Sequence, residues 1–176
     1  MAQTALVTGA TSGIGEALCL LFASDDFDLV TVARDKEALE KQADELRRLD
    51  IDVLPIACDL SDPDAARTIF KRVQEAGRRL EILVNRRGPS SPAGQFSDLP
   101  IADIRSMIQV SVTSLAELTS VFLHPMLERG HGRILNMSSM WRKRRAPTTR
   151  CTARRRCSCC RSQPRWRASS SIPACR

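Results

Sequence analysis

Tyrosine is absent from the 176 residues, and the remaining aromatic side chains are few: five Phe and two Trp. With no phenol in the chain, no reaction here can take its proton from one. Histidine is nearly missing too, with only His124 and His131. Long apolar runs are also lacking: none approaches the ~20 residues that a membrane span needs, and no basic stretch leading into an apolar one opens the chain as a secretory leader would. No membrane partner is expected. Acid is missing in one place only. Residues 141–176 hold 12 Lys and Arg and neither Asp nor Glu, whereas residues 1–140 hold 15 Lys and Arg against 20 Asp and Glu. The overall net charge of +7 therefore averages two unlike segments. Five of the seven cysteines, Cys151, Cys157, Cys159, Cys160 and Cys175, fall in the basic segment. The other two, Cys19 and Cys58, stand alone in apolar surroundings, which fits a reducing, cytoplasmic compartment.

Residues 1–140 alternate short apolar runs with helical spacing, the pattern of βαβ units that build a parallel sheet covered on both faces. Strands are predicted at Ala5–Val7, Leu29–Ala33, Val53–Ala57, Leu80–Val84 and Arg133–Met137. Between them, a helix from Gly13 to Ser24 is expected to bury Ile14, Ala17, Leu18, Leu21 and Phe22. A second helix carries Leu39, Ala43, Leu46 and Leu49 on one face. A third starts at Ser61 or Asp62 with Pro63, because a capping oxygen and a residue without an N–H suit a helix start. It runs to about Ala76, and residues 101–128 form one long helix or two. The reading is one incomplete α/β domain, doubly wound and Rossmann-like, over residues 1–140. Residues 141–176 follow as an irregular basic tail.

The chemistry concentrates in the first βα turn, TGATSGIG, Thr8 to Gly15. Gly9 lets the chain turn sharply after a buried strand, Gly13 allows backbone to approach a diphosphate, and Gly15 permits close helix packing. The helix N-terminus adds N–H donors and positive potential. Thr8, Thr11 and Ser12 bring hydroxyls to the same mouth. Three glycines alone would also suit an ordinary βα turn; the strand before, the helix after and the matches downstream favour a nucleotide.

The Gly-x-x-x-Gly-x-Gly spacing resembles the short-chain dehydrogenase/reductase family over about Ala5 to Ser139. The same resemblance extends to CDLSDP at Cys58–Pro63, LVN at Leu83–Asn85 and GRILNMSS at Gly132–Ser139. It implies a fold with two further strands, a nicotinamide cofactor, hydride transfer between a small carbonyl compound and an alcohol, and a homo-oligomer. Gly9, Thr11, Ser12, Gly13, Ile14 and Gly15 would face the cofactor, Asp59 and Leu60 would flank the adenine, and Asn85 would lie by the ribose. Asp59 would equally suit a helix cap. At the end of the second strand an acid would hold a ribose 2′-OH, whereas an arginine accommodates a 2′-phosphate. The chain has Ala33, Arg34 and Asp35 there, which favours NADP(H) over NAD(H) with Arg34 as clamp; a solvated arginine at a helix start is the alternative.

The family's catalytic set is a serine after strand five, a tyrosine thirteen residues on and a lysine four beyond that. Ser139 fits the serine, but Thr152 and Arg156 stand at the other two places. A threonine is no acid near neutrality, and an arginine does not replace an ammonium. Ser111 stands where the family has asparagine, and Arg86–Arg87 replace the amide-bearing part of its Asn-Asn-Ala-Gly turn. A slip of reading frame near Trp141 accounts for the tail. Joining the last base of each codon to the first two of the next permits Tyr-Gly-Ala-Thr-Lys across Cys151–Arg156, thirteen residues after Ser139. A smaller pair of compensating slips would explain Arg86 and Arg87.

The resulting expectation is a reductase by descent that keeps a cofactor site and lacks turnover. Its oligomer interface is damaged, with strand five an uncovered edge and the helix faces of residues 101–127 short of partners. The alternative is a non-catalytic nucleotide-binding protein whose basic tail meets an anionic partner. Nucleic acid is disfavoured as that partner, because Trp141 and Trp166 alone make no stacking platform. No metal site is expected: Cys157, Cys159 and Cys160 lack the paired spacing and second half of a zinc site.

Overall fold

A computed structural model of the chain describes residues 3–86 and 98–137. Ser139, Thr152, Arg156, Arg87 and the whole basic tail lie outside the described residues, as does the frame-slip reading. Five parallel strands form one sheet in the order β3-β2-β1-β4-β5, with β1 at Thr4–Thr8, β2 at Asp28–Ala33, β3 at Val53–Ala57, β4 at Leu80–Arg86 and β5 at Arg133–Met137. The helices between them are α1 at Gly13–Ser24, α2 at Lys36–Arg47, α3 at Ala65–Glu75, α4 at Ile101–Ile108 and α5 at Ser114–Arg129. This is the doubly wound Rossmann-like arrangement.

Successive strand residues point to opposite faces, and here both faces are covered, so β1 reads as an unbroken apolar run. Ala5 and Val7 pack with Cys19 and Ala23 of α1 and with Leu39, Ala43 and Leu46 of α2. Leu6, between them, packs with Ile69 and Val73 of α3 and with Leu118, Phe122 and Met126 of α5. Each fully buried Leu or Ile in these layers contributes about 1.5–3 kcal/mol of hydrophobic burial. In β4 the register slips beside Thr4, which faces Leu80 while Ala5 faces Ile82. Glu81 is the extra residue, and its carboxylate meets the His131 ring at 2.7 Å.

Helix α1 turns a different face to the sheet from the one expected. Ile14 and Leu21 are 55% and 56% exposed and Ala17 is exposed, while Gly15, Cys19 and Ala23 are buried. Leu18 and Phe22, also expected inside, are half-buried against the same core. The cause is close approach. A Cβ on Gly15 would stand 2.1 Å from the Gly9 carbonyl oxygen, so the small residues at i, i+4 and i+8 meet the strand while Ile14 and Leu21 turn outward. Helix α3 starts two residues later than expected. Asp59 accepts from the Ser61 N–H and Asp62 from the Asp64 N–H, both at 2.9 Å. These carboxylates therefore fold the approach into turns, a known competitor of capping.

Helices α4 and α5 are joined without a break by a π-helical turn, Gln109–Thr113, so residues 101–128 form one long helix with an irregular middle. The combined Ile101–Arg129 helix is long and apolar enough to cross a membrane by length and composition, with a mean hydropathy of 1.3. Its α5 half is a sheet-covering helix instead, with Ser114, Leu118, Phe122 and Met126 buried at spacings of four. Gly130, at φ 73°, stops it in the left-handed conformation that glycine adopts without strain. Its outward side leaves Ile101, Ile108, Val112, Leu123 and Leu127 exposed, and Leu135 of β5 is 46% exposed.

Candidate functional site

The strand order reverses between β1 and β4, and in open sheets of this kind ligands enter the crevice at the carboxyl ends of the strands there. Thr8 ends β1 and Arg86 ends β4, and their backbones are stitched together. The Thr8 hydroxyl donates to the Arg86 carbonyl and accepts from the Arg86 N–H, both at 2.8 Å. Thr8 is 1% exposed, so its hydroxyl serves this joint rather than the mouth.

A cavity of about 580 Å³ opens at this place. One end is walled by Gly9, Thr11, Ser12 and Arg86, the other by Ala33, Arg34, Asp35, Asp59 and Leu60. Val32, Ala33, Leu60 and Val110 make the apolar part of the wall. Gly9 has φ 62° and Gly13 φ 50°, a backbone region in which a side chain is strained. Gln42 of α2 donates to the Ala10 carbonyl at 2.8 Å, which fixes the far side of the turn. Ser12 is the N-cap residue of α1, yet its side chain makes no capping hydrogen bond. The Gly15 N–H donates to the Ser12 carbonyl at 3.1 Å, and the uncapped start of the helix keeps its positive potential for an outside acceptor.

Of the residues singled out in the sequence, Gly9, Thr11, Ser12, Arg34, Asp59 and Leu60 are brought together around this cavity. Gly13 and Gly15 shape the turn and the helix seat from behind. Ile14 points outward instead of lining the cavity, and Asn85 is turned away from it. Asn85 is 4% exposed and its amide donates to the Thr119 hydroxyl at 3.1 Å and to Asn136 at 2.9 Å. That makes it a tie between β4, α5 and β5. Ser111 sits in the π-helical turn, while its neighbours Ser106 and Val110 reach the cavity wall.

Two residues at the end of β2 are informative. Ala33 is 8% exposed and offers no acid, and Asp35 accepts from the Ala38 N–H at 3.0 Å as the cap of α2. Arg34 is exposed, and among the described residues it forms no ion pair. Cys58 also lines the wall. Its thiol pKa is pushed above the ordinary value by burial first, then by the nearby Asp62 and Asp59 charges, so it is held as a neutral thiol rather than a nucleophile. Sequence reasoning treated Arg86 only as a departure from a motif; the structure makes it a wall of the cavity. The signal available was its place at the end of a strand that neighbours β1.

These features fit a dinucleotide: an uncapped helix start, two glycines that remove Cβ atoms from the turn, and at the far end an exposed arginine that forms no ion pair among the described residues.

Comparison with known proteins agrees with that geometry. The family model for the short chain dehydrogenase matches residues 3–151. Sulfoacetaldehyde reductase 2 of Chromohalobacter salexigens is 32% identical over 141 residues, covering 80% of this chain and 56% of the relative. A metagenomic short-chain oxidoreductase solved in complex with NADP superposes with a TM-score of 0.74 at 32% identity, over 79% of this chain and 63% of that one. A short-chain dehydrogenase from Sphingobium yanoikuyae in complex with NADPH gives 0.73 at 33% identity, over 78% and 54%. The chain spans about half the length of the curated relatives it matches.

Proposed function

Because this chain belongs to the short chain dehydrogenase family, we propose that its cavity binds NADP(H) and that its ancestral reaction is hydride exchange between a small carbonyl compound and an alcohol. A bound nicotinamide would supply or accept the hydride. The chain's own residues hold the nucleotide: the Gly9 turn and the start of α1 receive the diphosphate, Asp59 and Leu60 border the adenine, and Arg34 pairs with the 2′-phosphate.

One observation carries the cofactor choice. The last position of β2 is an alanine, the next carboxylate is committed to capping α2, and the residue between them is a free arginine. An acid at the strand end would select the 2′-OH; a guanidinium selects its phosphate. The structural neighbours in complex with NADP and NADPH support the same reading.

The proton-handling half does not match. Tyr-x-x-x-Lys is missing, with Thr152 and Arg156 at its places, so we propose binding without turnover, in a reducing, cytoplasmic setting. A slip of reading frame near Trp141 is the proposed origin, and the coding DNA tests it: the alternative frame must contain Tyr-x-x-x-Lys. The functional test is a fluorescence titration with NADPH and NADH followed by a carbonyl-reduction assay. NADPH is expected to bind more tightly than NADH, with no oxidation above the uncatalysed background. NADH binding as well as NADPH would refute the role of Arg34, and enzymatic turnover would refute the inactive reading.

A further inference from the structure

Arg86 is held from both ends. Its backbone is locked to Thr8, and its Nη1 donates to the Gly9 carbonyl at 2.8 Å and to the Ser12 hydroxyl at 3.1 Å. The guanidinium is therefore fixed against the glycine turn rather than swinging in solvent. Its Nη2 lies 3.5 Å from the point that a Cβ on Gly13 would occupy, over the first turn of α1. Among the described residues no carboxylate pairs with it. A partly buried cation and an uncapped helix start thus converge on one point, and both favour an anion there.

We propose that Arg86 is a diphosphate clamp, one edge of its guanidinium anchored on Gly9 and Ser12 and the other donating to the phosphate oxygens of a nucleoside diphosphate moiety. The proposal rests on the nucleotide reading of the cavity and adds a selectivity to it. With Arg34 at the opposite end, the cavity holds one cation for the 2′-phosphate and one for the 5′-diphosphate of an adenosine 2′-phosphate 5′-diphosphate unit. An asparagine at this place, as in the motif the chain resembles, would offer an amide dipole and no charge. Binding here should accordingly depend on salt more steeply than an amide-lined turn allows.

The test measures affinities of the full chain and of Arg86→Asn and Arg86→Lys for ADP, adenosine 2′-phosphate and NADPH, at about 50 and about 500 mM salt. Arg86→Asn should weaken ADP and NADPH by about 10–100-fold, leave adenosine 2′-phosphate within about twofold, and flatten the salt dependence of ADP. Arg86→Lys should fall between. If the full chain binds ADP and Arg86→Asn binds it equally or more tightly, the guanidinium is a plug and the clamp is overturned while the nucleotide reading stands. If the full chain binds none of the three ligands, the nucleotide reading itself falls. Should circular dichroism show Arg86→Asn unfolded, the wild-type salt series and Arg86→Lys decide, and an ADP affinity indifferent to salt overturns the clamp.

Discussion

The β1-β2-β3 half of the sheet and the β4-β5 half differ in how completely they are finished. In the first, β1 is buried along its whole length, β2 is buried from Leu29 onward, and α1 and α2 close one face of these strands, although Ile14, Leu20 and Leu21 of α1 stay exposed on its outer side. In the second, β5 has no fully buried residue, and the helix opposite it leaves five large apolar side chains in the open. The nucleotide cavity draws nearly all its walls from the finished half, with Arg86, Ser106 and Val110 reaching in from the other. The proposed nucleotide site thus lies mostly on one βαβαβ unit, with Arg86 brought to it from β4. Proton transfer in the resembled family instead depends on residues beyond β5, which is where this chain departs from the pattern.

The largest expected effect comes from disturbing the finished half at its tightest point. Gly15→Val puts carbon atoms against the Gly9 carbonyl, where a Cβ alone would stand at 2.1 Å. Backbone cannot retreat as a flexible side chain would, so a loss of about 3 kcal/mol or more is expected. A urea unfolding midpoint measures it, and an unchanged midpoint would show that α1 does not sit on β1 as described. Leu118→Ala comes next. Leu118 is 1% exposed on α5, and its truncation should cost about 2–4 kcal/mol while leaving the NADPH affinity of the folded fraction unchanged. A matching loss of affinity would mean the two halves are coupled.

Arg34→Ala sharpens the comparison from the ligand's side. Losing a charge-assisted contact worth about 1.5–3 kcal/mol should weaken NADPH by roughly 10–100-fold and NADH little. Paired titrations of the two dinucleotides give the ratio, and an equal loss for both would assign Arg34 to general attraction rather than to the 2′-phosphate.

The alkaline limit of stability supplies a smaller effect. Burial, and then the Glu16 charge, push the Cys19 thiol from 9.0 up to about 12. The folded state therefore keeps its proton where the unfolded chain loses it. The contribution is complete below pH 9 and drains away as the pH climbs towards 12. Unfolding midpoints across that window should fall in the wild type and fall less in Cys19→Ala. Parallel slopes in the two proteins would contradict the burial of the thiol.

Much of this was legible in the residues, for identifiable reasons. All five strands were visible because parallel strands buried on both faces show as apolar runs. The exposed face of α1 was not. Periodicity ranks side chains by size, whereas this helix presents Gly15, Cys19 and Ala23 to reach the strand closely, and a rule that favours large residues inside then picks Ile14 and Leu21. The π-helical turn left no mark, since one extra residue per turn looks like ordinary helical drift. Arg86 was hidden for a topological reason: β1 and β4 are far apart in sequence, and only the strand order sets Gly9 beside it. Asn85 was placed by resemblance near the ribose, and its hydrogen bonds run the other way into the sheet.

The smallest effect tests the unfinished half, and its smallness is the point. Leu127 is 65% exposed, while its neighbour Met126 is 4% exposed, so adjacent residues of one helix belong to different environments. Leu127→Lys removes apolar surface from water and adds a charge without touching the buried stripe. Its effect on the unfolding midpoint should stay within about 0.5 kcal/mol, and light scattering should show less self-association because an exposed apolar strip has been interrupted. A cost above about 2 kcal/mol would require Leu127 to be packed against something. The two halves would then be equally finished, and the contrast on which the separation of binding from turnover rests would be lost.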